Sequence, residues 1–123
     1  MQITLSYDSK GHLLEGRKKY KLYLPPDIPA SDFWSIIVYD PLSRLIIHTG
    51  QPWPSVFSNN KNLVYNNDGS VDVWFGPKSI KGKENNWVQT ISGKRWYMIL
   101  RLYYPLESWF NKKWRPGAVE ELI

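Results

Sequence analysis

Residues 96–104, WYMILRLYY, place Trp96, Met98, Leu100, Leu102 and Tyr104 at every second position, with Tyr97, Ile99, Arg101 and Tyr103 between them. A period of two is that of a β-strand, whose successive side chains point to opposite faces; on a helix the same residues would scatter around the axis. A strand with five large apolar side chains on one face needs a second layer to bury them. The alternation recurs in Ile3, Leu5 and Tyr7, and again in Tyr20, Leu22 and Leu24, where Pro25-Pro26 closes the strand. In Phe33 to Asp40, FWSIIVYD, both faces are apolar, which predicts a strand covered on both sides. Arg44 to Thr49 reads as a further short strand, and GQPWPS, residues 50–55, as an irregular connection. Seven Trp, eight Tyr and four Phe suit pleated, half-buried surfaces, and no βαβ alternation is present. Seven or eight short strands argue for an all-β, antiparallel β-sandwich or jelly roll, formed as a single domain over residues 1–123.

Turn residues suggest how the strands connect. Asp68-Gly69 suits a two-residue hairpin loop, which would set Asn67 opposite Ser70 and Val64 opposite Val73, with Val71, Val73 and Phe75 on the core face. Gly93-Lys94 suits a second such loop, pairing Ile91 with Trp96 and Trp87 with Leu100. After the long strand, Pro105 and Glu107 favour a helix start and Lys112 and Lys113 its end, predicting one short C-terminal helix stopped at Arg115-Pro116-Gly117. From Ala118 the chain reads as a thin polar tail.

The 16 Lys and Arg against 11 Asp and Glu leave a net charge of +5. A nucleic-acid partner would need these cations gathered along one face to displace counterions from phosphates. The lysines are scattered from Lys10 to Lys113, mostly in turns, so a solvated surface is expected and nucleic-acid binding ranks last. The chain has no cysteine, which removes disulfides, thiolate zinc sites and cysteine nucleophiles together. No apolar run approaches the roughly 20 residues of a membrane-spanning helix, and the first residues lack a signal-peptide core, so a soluble chain with no membrane role is expected. The sequence assigns no compartment.

Few residues offer chemistry. His12 and His48 are the two histidines, and neither stands in a nucleophile-elbow context. Asp8, Asp68 and Asp72 sit among turn residues, where turn chemistry accounts for them, and no metal or cofactor is expected. In GKENN, residues 82–86, the glycine nest of a phosphate loop is lacking. Arg101, in the middle of an otherwise apolar strand, needs a partner, since a partly buried unpaired charge is costly. The second hairpin's register would bring Glu84 and Asn86 near it, with Glu107 just beyond, so Glu84, Asn86, Arg101 and Glu107 form the candidate polar cluster. An ion pair that pins the loop and helix to the sheet is the plainer reading, and a ligand-binding arginine the sharper one. Trp34, Trp74, Trp87 and Trp96 fall within strands and are expected in the core. Trp53, and Trp114 with its neighbour Arg115, are the candidate aromatic anchors for a sugar or peptide.

The stretches FWSIIVYD, GQPWPS, NNDGSVDVWFGPK, GKENNWVQTISGKRW and LRLYYPLESWFNKKWRPG, in this order, resemble the family known as domain of unknown function 1214 (DUF1214). The likeness extends to the opening segment YDSKGHLLEGRKKYKLYLPPDIP. It implies a jelly-roll domain, usually the C-terminal half of larger bacterial proteins whose N-terminal half is domain of unknown function 1254, in an arrangement similar to double-jelly-roll capsid proteins. It carries no catalytic residue over to this chain. The expected partners are a second copy, giving a homo-oligomer, or an N-terminal partner domain. The leading reading is a non-enzymatic module for assembly or ligand binding. The alternative is an enzyme completed by a partner subunit, using Arg101, Glu84 and His48.

Overall fold

The computed structural model describes residues 2–30, 33–47, 49–51, 55–103, 106 and 114–122. Among them run eight strands: β1 (Gln2–Leu5), β2 (Lys19–Leu24), β3 (Trp34–Tyr39), β4 (Ser55–Phe57), β5 (Val71–Gly76), β6 (Trp87–Gln89), β7 (Tyr97–Leu102) and β8 (Val119–Leu122). They form two four-stranded sheets, ordered β1-β7-β3-β4 and β6-β5-β2-β8, and the chain passes between the sheets at five of its seven connections. The result is the all-β sandwich that the alternation predicts. Tyr20, Leu22 and Leu24 from β2, and Val71, Val73 and Phe75 from β5, are fully buried against Trp34, Ile36 and Val38 from β3 and Met98, Leu100 and Leu102 from β7. Every pairing is antiparallel except β5 with β6, which run parallel with Trp74 opposite Trp87 and Phe75 opposite Val88.

That parallel pair overturns the second hairpin. β6 lies in one sheet and β7 in the other, so Trp87 does not face Leu100. The turn at Gly93 exists, with Lys94 N–H donating to the Ile91 carbonyl at 3.1 Å, but it sends the chain across to the other sheet. Residues 14–16 receive it: Gly16 N–H donates to the Lys94 carbonyl at 2.8 Å and Trp96 N–H to the Leu14 carbonyl at 3.3 Å. Gly16 is needed for this approach, since a Cβ there would lie 1.8 Å from the Ile91 carbonyl oxygen. A glycine turn fixes a change of direction, and which strand the chain then joins depends on distant partners.

Other differences are smaller. Asn66, not Asn67, pairs with Ser70, its N–H donating at 2.8 Å to the Ser70 carbonyl, so the first loop has one residue more and Val64 does not meet Val73. Arg44 to Ile47 form no strand, only a single bridge from Ile46 to Tyr39. In β3 the inward residues are buried, while Ile37 and Tyr39 on the outer face are half-exposed. The segment from Ala118 becomes β8, paired with β2 and with Val119 buried, so it is no tail. Most of the expected helix, at 105 and 107–113, lies outside the described residues.

At the free edge of β6 a side chain stands in for a strand. The Gln51 amide donates to the Trp87 carbonyl at 2.9 Å and accepts from Gln89 N–H at 2.9 Å. Gln89 returns the bond, accepting from Gln51 N–H at 3.0 Å.

Replacing Gly16 with alanine forces a methyl group into backbone that has no room to yield. Gly16→Ala should lower stability by roughly 3 kcal/mol in urea unfolding followed by tryptophan fluorescence, with the denaturant slope unchanged.

Candidate functional site

The polar cluster expected from the sequence does not assemble. Glu84 is exposed in a single 3-10 turn, Glu84–Asn86, that leads into β6. Arg101 sits in the other sheet, between Gln2 of β1 and Ser35 of β3. Its guanidinium donates to the Tyr39 hydroxyl at 2.7 Å and lies 5.8 Å from that ring's centroid, and no carboxylate of the described residues is within 4.0 Å of it. The hydroxyl and ring face of Tyr39 supply the partner that the sequence leads one to seek in an acid. Glu107 lies outside the described residues, as do Trp53 and His48.

Asn86 is 2% exposed and acts as a structural tie. Its Nδ2 donates to the carbonyls of Val64 at 2.8 Å and Asp72 at 2.9 Å, while its Oδ1 accepts from Val64 N–H at 2.9 Å. Segment 64–66, which forms no strand, is held to β5 in this way. Trp114 is 5% exposed, with Nε1 donating to the Pro25 carbonyl at 3.1 Å, and Arg115 donates to the Trp114 carbonyl at 3.0 Å. Trp34 and Trp96 are core residues. Trp74 and Trp87 are not: with Val73 and Phe75 turned inward, Trp74 faces out, half-exposed, and the Lys21 ammonium lies 5.5 Å from its ring centroid. Trp87 is half-exposed beside it and donates Nε1–H to the Gly76 carbonyl at 3.0 Å.

Asp8 is the buried acid, its side chain 2% exposed. Its Oδ1 accepts from the N–H groups of His12 and Lys10, both at 2.9 Å, closing the turn that follows Tyr7. The His12 N–H bond, seconded by that of Lys10, outweighs burial and holds the carboxyl below the ordinary aspartate range. Among the described residues no three acids or histidines converge to hold a metal ion. No helix among them is long and apolar enough to cross a membrane.

Among the described residues a concavity of ligand size is present. At one end of the sandwich a cleft of about 650 Å³ is lined by Tyr7, Leu13, Leu42, Tyr97, the Lys94-Arg95 pair and Asp40, which follows the Tyr39–Tyr97 pair of β3 and β7. Four separate segments build it. Tyr7, following β1, is bridged to Leu13; Tyr97 opens β7 and is stacked on Tyr39 at 5.5 Å; Lys94 and Arg95 belong to the crossing segment. Leu42 is carried by the turn after β3, where Asp40 Oδ1 accepts from Leu42 N–H at 2.8 Å and the Asp40 carbonyl from Arg44 N–H at 2.7 Å. Tyr7 is 57% exposed and Leu42 96%, so large apolar surface faces solvent at the mouth. No periodic signal joins these four segments, and the sequence reading missed them for that reason.

Residues 1–107 match the family described as a protein of unknown function, DUF1214. The chain belongs to this family. No curated protein matches it. Among solved structures, the DUF1214 chain is similar to the VPA0106 protein of Vibrio parahaemolyticus, with a TM-score of 0.83 and 19% identity over 99% of this chain and 30% of that one. It is also similar to an uncharacterized protein from Burkholderia cenocepacia, with a TM-score of 0.58 and 14% identity over 98% of this chain and 34% of that one. The DUF1214 chain thus spans about a third of the length of either protein, and at these identities the likeness shows the fold alone.

Two stability measurements check the assignments. Asn86→Ala strands buried backbone groups and should cost about 2–3 kcal/mol in chemical denaturation, whereas Glu84→Gln should stay within about 0.5 kcal/mol. Asp8 is depressed in the folded state, so its stabilisation is full above the unfolded carboxyl pKa and is lost as pH falls through the lower folded value. Between pH 5 and pH 2.5 the thermal midpoint of the wild type should therefore fall further than that of Asp8→Asn.

Proposed function

We propose that the chain is a non-enzymatic ligand-binding domain, and that the end cleft takes a molecule with an apolar body. The observation that carries this reading is the cleft's lining. Tyr7, Leu13, Leu42 and Tyr97 surround about 650 Å³, a size within the range of small-molecule sites. Exposed side chains of this size seldom gather without a partner, and covering them removes apolar surface from water at roughly 25 cal/mol per Å². Hydrogen bonds hold the segments that carry the lining, in the Asp40 turn and between Gly16 and Lys94. Segments held before binding lose less freedom on binding.

A protein partner is the second reading, because the apolar surface continues past the cleft to Leu45 and Ile46 in the same turn. A second copy of the chain, giving a homo-oligomer, or an N-terminal partner domain would both cover it.

The neutral fluorophore N-phenyl-1-naphthylamine tests the first reading. It should bind saturably, one per chain, and Leu42→Asp should weaken binding at least fivefold while circular dichroism stays that of the wild type. Binding that does not saturate, or that Leu42→Asp leaves intact, would count against the cleft. Light scattering at micromolar concentration separates the second reading, since an oligomer through this face should dissociate on the same substitution.

A further inference from the structure

The cleft's charge is net positive, two cations, Lys94 and Arg95, against the one carboxylate of Asp40. Lys94 and Arg95 are both exposed on its rim, and among the described residues no carboxylate lies within 4.0 Å of either. The nearby acids have closer partners than these two cations. Glu15 contacts Lys18 at 3.2 Å and Arg17 at 3.6 Å, and these two, with a weaker attraction from Arg95, hold its carboxyl below the ordinary glutamate range. Asp40 Oδ1 is occupied by the N–H groups of Leu42 and Ser43 within its own turn.

The two cations also stand where the cleft meets a smaller hollow of about 150 Å³, which shares Gly93, Lys94 and Arg95 with it and adds Glu15, Gly16 and Arg17. Their backbone is fixed on both sides. Lys94 N–H bonds the Ile91 carbonyl, Lys94 carbonyl accepts from Gly16, and Arg95 is bridged to Glu15. An apolar trough bordered by two cations that form no ion pair within 4.0 Å among the described residues matches a molecule with an apolar body and an anionic end. A charge placed beside low-dielectric walls is screened less than one in open water.

From this juxtaposition we infer that the cleft's ligand class is the organic acid, its apolar body against Tyr7, Leu13, Leu42 and Tyr97 and its carboxylate at Lys94 and Arg95. The inference rests on the cleft reading given under Proposed function and adds the charge of the ligand to it. A neutral ligand of the same shape would satisfy the walls and leave both cations unused.

Displacement of bound N-phenyl-1-naphthylamine by octanoate and by 1-octanol compares one eight-carbon body with and without the charge. Octanoate should displace the dye at a concentration at least tenfold lower, equivalent to about 1.4 kcal/mol. In the doubly substituted Lys94→Gln, Arg95→Gln protein the ratio between the two should fall to within twofold, with the thermal midpoint reporting that the fold is kept. Equal potency of octanoate and octanol in the wild type would overturn the organic-acid assignment and leave the apolar cleft standing. An octanoate advantage that persists in the double variant would also overturn it, by placing the charge readout elsewhere. Failure of the dye itself to bind would remove the cleft reading, and the organic acid with it.

Discussion

The contact on which the sandwich most depends is that of Trp96 with the facing sheet. Its indole stacks on Phe75 of β5 at 4.9 Å and meets Tyr20 of β2 edge-on at 5.7 Å, so one side chain closes the core between two strands of the opposite layer. Aromatic pairs in such geometries add to the stabilisation that burial already supplies. Trp96 occupies the last step of the crossing from β6 to β7, and its backbone N–H donates to the Leu14 carbonyl. Once the ring is buried, the register of β7 between β1 and β3 follows, as does the course of residues 91–95 over Gly16. The end cleft is therefore a consequence of how the core closes, because the chain that brings Trp96 into place also carries Lys94 and Arg95 to the rim.

The layers were legible in the sequence because burial on one face writes a period of two. Tyr20, Leu22 and Leu24, then Val71, Val73 and Phe75, then Trp96, Met98, Leu100 and Leu102 all stand inward as the alternation requires. Partnership was not legible in the same way. A β-turn signal extends over a few residues, whereas the choice between a hairpin and a crossing is made by groups beyond its reach: Leu14 and Gly16, far back in the chain, for the segment after Gly93, and Gly76 with Asp72 for the chain around Trp87. Parallel pairing in particular leaves no local mark.

The candidate residues misled for a related reason. An arginine in an apolar strand points to an acid as its partner, yet tyrosine accepts a guanidinium hydrogen bond and offers its ring face as well, and Tyr39 reaches Arg101 from the neighbouring strand. Asn86 looked like part of a binding loop and is spent instead on three backbone groups. Trp74 and Trp87 follow from the same alternation that places Val73 and Phe75, since their neighbours inward leave them outward. The residues of the cleft carried no signal in isolation, for each is an ordinary turn or strand-end residue until four segments converge.

The Gln51 amide on β6 has a bearing on how this chain behaves in company. A sheet ends safely only when its outermost strand cannot recruit another, and unsatisfied N–H and C=O groups along an edge invite recruitment. By occupying the Trp87 carbonyl and the Gln89 N–H with a single side chain, Gln51 leaves a newcomer no ladder to begin on at that edge. Growth of the β6-β5-β2-β8 sheet into fibrils or swapped dimers is thus discouraged on its β6 side by one neutral amide.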